Sequence, residues 1–147
     1  MWARRILAVV LLAMGAGKLL DPSGYAHALA AFRVIPVAAL TAVAWSWLAC
    51  ELAAGALLLI GGRAARIGVA GAILALAINV AYAVMTTQAY ARHLSIDNCT
   101  CFGVHLRQRL SWFVLAQDAY MIALSAYVFV VARRATPRSP AESRARS

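Results

Sequence analysis

Apolar residues fill four long stretches of this chain, with short breaks between them. The stretches cover about residues 4–20, 36–60, 67–85 and 112–131. A helix needs roughly 20 apolar residues to cross a hydrocarbon core of ~30 Å, so each stretch predicts a membrane-spanning helix. The first is short; Trp2, Arg4 and Arg5 extend it by snorkelling to the interface. Pro22 and Gly24 break the helical pattern after it. The following "YAHALAAFRVI", Tyr25 to Ile35, predicts a short interfacial helix. Beyond Ala132 the chain turns to Arg, Pro, Ser and Ala with no apolar period, which predicts a disordered basic tail over 134–147. The basic start and first apolar run also resemble a cleavable signal peptide. Lys18, Leu19 and Leu20 follow that run at once, with no small-x-small site before a polar start, so it is read as a span. The prediction is an all-α integral membrane four-helix bundle, with one domain over residues 1–133.

Composition agrees with a lipid environment. Of 147 residues, 64% are hydrophobic and 13% charged, against roughly 45–50% and 25% in soluble domains. A soluble chain of this size could not bury so much apolar surface. The formal net charge is +9, from 14 Lys and Arg against 5 Asp and Glu. These cations cluster between the apolar runs and in the tail, the placement of topology determinants, and nucleic acid is not the expected partner. With four spans, Arg4, Arg5, Arg63, Arg66, Arg133, Arg134, Arg138, Arg144 and Arg146 share one side. Lys18, Arg33, Arg92, Arg107 and Arg109 fall on the other. That asymmetry predicts both termini in the cytoplasm and the Thr86–Leu110 loop facing outward.

The outward loop carries "DNCTCFG", Asp97 to Gly103. Disulfides persist outside the cytoplasm, so Cys99 and Cys101 are expected to cycle or to be oxidised. A bridge across one intervening residue must bend the backbone, and Gly103 after Phe102 helps such a turn. Strained, exposed disulfides are the labile ones, which favours a redox exchange pair. His93, His105, Arg92, Arg107 and Arg109 add positive charge that favours thiolate, and Asp97 opposes it. The alternatives are a static disulfide, a zinc or copper site completed by His93 or His105, and two unrelated thiols.

Few ionisable groups lie within the spans, and each is a functional candidate. Lys18, Asn79 and Asp118 are expected at similar depth beneath the thiol loop, with Lys18 and Asp118 placed to pair. Glu51 is expected deeper, with only a tyrosine or tryptophan for a partner; it reads as a proton-handling or quinone-contact group, or as an interhelical hydrogen bond. Asn79 reads as interhelical glue, and Cys50 as a small core residue or a relay thiol. Small residues such as Gly17, Gly55, Gly68 and Gly71 mark close helix approaches. Trp45, Trp47, Trp112 and Tyr90 are expected at the membrane interface.

These features resemble the methylamine-utilisation protein MauE family, within the wider DoxX-like membrane proteins. The resemblance rests on "GKLLDP" (Gly17 to Pro22), Glu51 in "CELAAG", Asn79, "CTCFG", and "LSW" (Leu110 to Trp112) opening the last span. The chain has Thr100 where the family commonly has glycine, and Gln117 where it often has arginine. The resemblance implies a four-span protein of the inner membrane. It implies a role in maturing the disulfide-rich small subunit of methylamine dehydrogenase, with a thioredoxin-like extracytoplasmic partner. The architecture also looks similar to quinone-linked thiol oxidases of the vitamin K epoxide reductase and DsbB type, which use C-x-x-C rather than C-x-C.

The reading is a membrane thiol–disulfide exchange component. Cys99 and Cys101 form the redox pair. Phe102 and Gly103 shape its turn. Lys18, Glu51, Asn79 and Asp118 support the loop, or a small apolar cofactor such as a quinone. No metal is assigned. A homo-oligomer is a further expectation. The competing classes are a non-catalytic membrane scaffold or chaperone, and a metal or small-molecule handling protein.

Overall fold

The computed structural model describes residues 2–62, 64–104 and 107–135. Arg63, His105 and the predicted tail from residue 136 onward lie outside them. Among the described residues the fold is all helical. The helices are α1 (Trp2–Leu19), α2 (Pro22–Ala30), α3 (Leu40–Ile60), α4 (Ala65–Ala91) and α5 (Trp112–Ala135), with a single 3₁₀ turn, Val37–Ala39, before α3.

The apolar runs of the sequence become α1, α3, α4 and α5. Three of these, Val37–Ile60, Ala65–Ala91 and Trp112–Ala135, are long and apolar enough to cross a membrane. The first is not enough alone. It qualifies only together with α2, from which it is bent by 96°. The chain is thus a multi-pass membrane protein with three to four candidate spans. α4 runs beyond the apolar stretch that announced it, to Ala91. Thr86 therefore belongs to a helix, and the loop expected to face outward begins only at Arg92.

Pro22 and Gly24 do not keep the chain out of a helix. Asp21 caps α2, its Oδ1 accepting from the Gly24 backbone N–H at 2.8 Å. Pro22 takes the first helical position, where its missing N–H costs nothing. The inner face of α2 buries Tyr25 and Leu29, and Phe32 follows it. These pack with Leu40, Ala44, Met85, Ala89 and Ile96, capping α3 and α4 at the loop end.

In the bundle α1 packs on α3, α3 on α4 and α4 on α5, while α1 and α5 meet only lightly. Small residues let the helices close up: Gly15 lies on Leu52, Gly55 on Leu12 and Gly71 on Leu57. The main core gathers Leu7, Leu11, Met14, Leu58, Ile78, Val114 and Met121, and both loop cysteines belong to it. Large apolar side chains such as Val9, Ile73, Val84, Tyr120 and Tyr127 point outward, as lipid contact requires. Trp45, Trp112 and Tyr90 are exposed. Trp47 instead turns inward and packs on Tyr82, ring centroids 4.7 Å apart.

Candidate thiol site

The loop between α4 and α5 is folded upon itself. Leu110 N–H donates to Ile96 O at 3.0 Å, and Cys99 N–H to Gln108 O at 2.8 Å. Asn98 turns the chain: its Oδ1 accepts from Thr100 N–H at 3.0 Å, and its Nδ2 donates to Gly103 O at 3.3 Å. Gly103 N–H closes a turn onto Thr100 O at 3.1 Å. The turn brings Cys99 Sγ and Cys101 Sγ to 3.1 Å. To do so it puts Thr100 in the left-handed region, φ 61°, and Gly103 at φ 82°. A β-branched residue there is a genuine outlier. Thr100 is also fully buried, with Oγ1 unpartnered.

Both thiols are buried, Cys99 at 0% and Cys101 at 2% exposure. Cys101 donates its S–H to Cys99, and this holds the Cys99 thiol at about 7 against the opposing cost of burial. The same donation, and then burial, push Cys101 well above the usual thiol range. The pair is therefore asymmetric, with Cys99 the readily ionised member. Gln108 Oε1 lies 3.7 Å from Cys99 Sγ. Gln108 is itself held by Gln117 of α5, Nε2 to Oε1 at 3.1 Å, so the departure at Gln117 has a local role.

The cation that serves the thiols is not one of the loop arginines. Arg109 is spent on Asp97 at 3.5 Å, and both are largely exposed. The cation acting on Cys101 is Lys18, and it is outweighed there by the opposing charge of Asp118. The end of α1 lies directly on the thiol turn: Gly17 touches the Phe102 carbonyl, and Gly103 touches the Gly17 carbonyl. A side chain at either glycine would separate the two segments.

Lys18 does not pair with Asp118. Its Nζ donates to Glu51 Oε1 at 2.6 Å and Oε2 at 2.7 Å, and also to the Tyr82 hydroxyl. The ammonium sits between the Tyr25 and Tyr82 rings, 5.1 and 4.7 Å from their centroids, and the two hydroxyls are 3.2 Å apart. Lys18 and Glu51 are both 0% exposed. Glu51 thus has a full ionic partner, and it lies at the level of the Lys18 head. The long lysine side chain turns inward from the end of α1, and this joins positions whose backbones differ in depth.

Asp118 pairs instead with Thr86 of α4. Asn79 Nδ2 donates to Ser125 Oγ at 2.9 Å, bridging α4 and α5. This second rung lies about two helical turns further from the loop than the first, so Asn79 does not share the depth of Lys18 and Asp118. Cys50 is half-buried against the main core. His93 lies two residues past the end of α4, at φ 52°, and among the described residues no three His, Cys, Asp or Glu side chains gather as a metal site.

Tyr82, Tyr25, Thr86 and Gln108 are site residues that the sequence did not single out, and Thr100, noted there only as a departure, lies at the centre of the turn. Asn79, Tyr82 and Thr86 form a polar stripe spaced by three and four along an otherwise apolar helix, and that pattern was available. Gln108 and Tyr25 carried no such signal.

The sequence matches the family model of methylamine utilisation protein MauE over residues 1–131. The chain belongs to the MauE family. No match was found among the curated proteins or the solved structures. Within this MauE chain, "GKLLDP" supplies the glycine that abuts the thiol turn, the buried lysine and the cap of α2. "CELAAG" supplies the carboxylate that neutralises the lysine, and "CTCFG" the turn itself. The three segments are remote in sequence and form one contiguous site.

Proposed function

We propose that this protein exchanges thiols and disulfides at the outer membrane face, in support of the maturation of extracytoplasmic proteins. The observation that carries the reading is the Cys99–Cys101 turn. Two sulfurs lie 3.1 Å apart, one of them readily ionised, with a buried ammonium acting on them. Cys99 would attack a partner disulfide as thiolate, and Cys101 would then resolve the mixed disulfide. The family link is to methylamine utilisation, and a disulfide-rich enzyme subunit such as that of methylamine dehydrogenase is the substrate class this suggests. The partner would be thioredoxin-like. We further infer four spans, with α1 and α2 together as the first, both termini cytoplasmic and the inner membrane as location. The arginine asymmetry supports that topology. Phe102 would shield the turn, and Asn79 would brace α4 against α5. The grooves at Trp2–Tyr127 and at His27–Trp45 are lined by neither thiol, so a protein disulfide is a simpler electron acceptor than a quinone. Self-association is a further proposal, supported only by the lipid-facing apolar surface.

Burial of both sulfurs favours one competing reading, a static loop that serves only as a docking surface. Labelling in intact cells separates the two. With Cys50 replaced by Ala, a membrane-impermeant maleimide should modify one thiol after brief reduction, and the pair should re-oxidise within minutes. In purified protein the labelling rate should rise with pH through about 7, because the thiolate is the nucleophile. Cys99→Ser should abolish this component. A pair that never changes state would support the docking reading.

A further inference from the structure

Thr86 has one hydroxyl proton and three oxygen neighbours. Its Oγ1 lies 3.0 Å from Tyr82 O and 3.2 Å from Ala83 O, and it also touches Asp118 Oδ2. One proton cannot serve both the carbonyl side and the carboxyl side. Both are satisfied if Asp118 carries its own proton. Its O–H then donates to Thr86 Oγ1, and the Thr86 hydroxyl donates to a helix carbonyl, as threonines in helices commonly do. Asp118 is 7% exposed, and among the described residues no cation pairs with it; the buried Lys18 is committed to Glu51.

The thiols share a core cluster with Val114 and Met121, which lie about one helical turn to either side of Asp118 on α5, and the charge of this carboxyl acts on both sulfurs. Two negative charges in one buried site exclude each other. The other ionisable groups nearby do not relieve them. Lys18 of α1 and Glu51 of α3 neutralise one another, and Tyr25 of α2 and Tyr82 of α4 are hydrogen-bonded to each other. Asp97 and Arg109 pair at the loop surface. Beyond the neutralised pair, the site thus has room for one negative charge.

We propose that this charge moves with the redox state: it sits on Cys99 while the pair is reduced and Asp118 is protonated, and on Asp118 once the pair is oxidised. The step rests on the exchange reading above, with a protein disulfide as oxidant. The Cys99 thiolate attacks that disulfide, forming a mixed disulfide and expelling one partner sulfur. Cys101 loses its proton and attacks Cys99, forming the Cys99–Cys101 bond and expelling the second sulfur. Two electrons pass from the pair to the partner, whose S–S bond is broken. The two new partner thiols need two protons; Cys101 supplies one and Asp118 the other. The site carries the same net charge before and after. Asp118 is a proton-holding residue, and the sulfurs do the bond chemistry.

The test is the reduction potential of the pair in the purified full chain, set with reduced and oxidised dithiothreitol at several pH values above 7. The wild type should show the pH slope of two protons per two electrons. Asp118→Asn should show half that slope, one proton per two electrons, and Asp118→Glu should restore it. A role in packing alone would leave the slope unchanged. Reduced-minus-oxidised infrared difference spectra of the wild type need no variant: oxidation should remove a protonated-carboxyl band. An unchanged slope in Asp118→Asn, or no carboxyl band in the difference, overturns the proposal while leaving the exchange reading intact. A pair that equilibrates with no thiol couple overturns both.

Discussion

At the scale of single residues, Thr100 is the position where sequence and conformation disagree. The turn demands a left-handed residue between the two cysteines, and Thr100 meets that demand at φ 61°. A non-glycine residue there costs about 1–2 kcal/mol, and the buried hydroxyl has no partner. Thr100→Gly should therefore stabilise the protein by about 1 kcal/mol, the gain being trimmed by the greater freedom of glycine in the unfolded chain. Thermal unfolding in detergent checks this; a loss of stability would mean that the Thr100 methyl group matters more to packing than the strain does. The cramped turn itself was legible, since a C-x-C bridge must bend the chain. The partners of the thiols were not. Gln108 approaches because the loop doubles back, and doubling back leaves no mark on a local pattern.

At the scale of elements, the spans were legible and their ends were not. Apolar runs placed α3, α4 and α5 to within a turn or two. The pattern stopped short on α4, because Thr86, Thr87 and Gln88 end the apolar run while the helix continues to Ala91. The break at Pro22 and the short helix after it were legible, but that helix runs over Pro22–Ala30 rather than Tyr25–Ile35, because a proline that ends one helix also suits the first position of the next. The contact between α1 and the thiol turn depends on two glycines facing each other. Gly17→Ala would drive a methyl group into the Phe102 carbonyl. Overpacking of this kind costs about 1–3 kcal/mol, and here it should also move Lys18 away from the sulfurs. The expected outcome is a loss of stability together with a higher apparent pKa of Cys99, read from the pH dependence of maleimide labelling, because the displaced turn would weaken the donation from Cys101. Gly17→Ala with an unchanged labelling profile would show that the two segments are not coupled.

At the scale of the whole molecule, one ionic knot gathers four elements. Lys18 of α1 and Glu51 of α3 meet beneath tyrosines from α2 and α4, while α5 is joined to α4 by two hydrogen-bonded rungs. Removing one ion of a buried pair typically costs about 3–5 kcal/mol, because the other is left uncompensated, whereas replacing both is often near neutral. Lys18→Met and Glu51→Leu should each destabilise the protein by about that amount, and the double variant by much less; equilibrium unfolding in mixed micelles would measure the coupling. The sequence announced that these two residues mattered, but it gave depth along a helix and not direction around it, so Lys18 was matched to Asp118. The knot also bears on how the protein is made. An unpaired charge at the centre of a helix costs about 2.5–3.5 kcal/mol to leave in lipid. As α3 emerges during synthesis, Glu51 carries that burden unless Lys18 is already waiting. The first sixty or so residues should therefore be released into the bilayer together, with α1 held beside the insertion channel until α3 arrives to claim it.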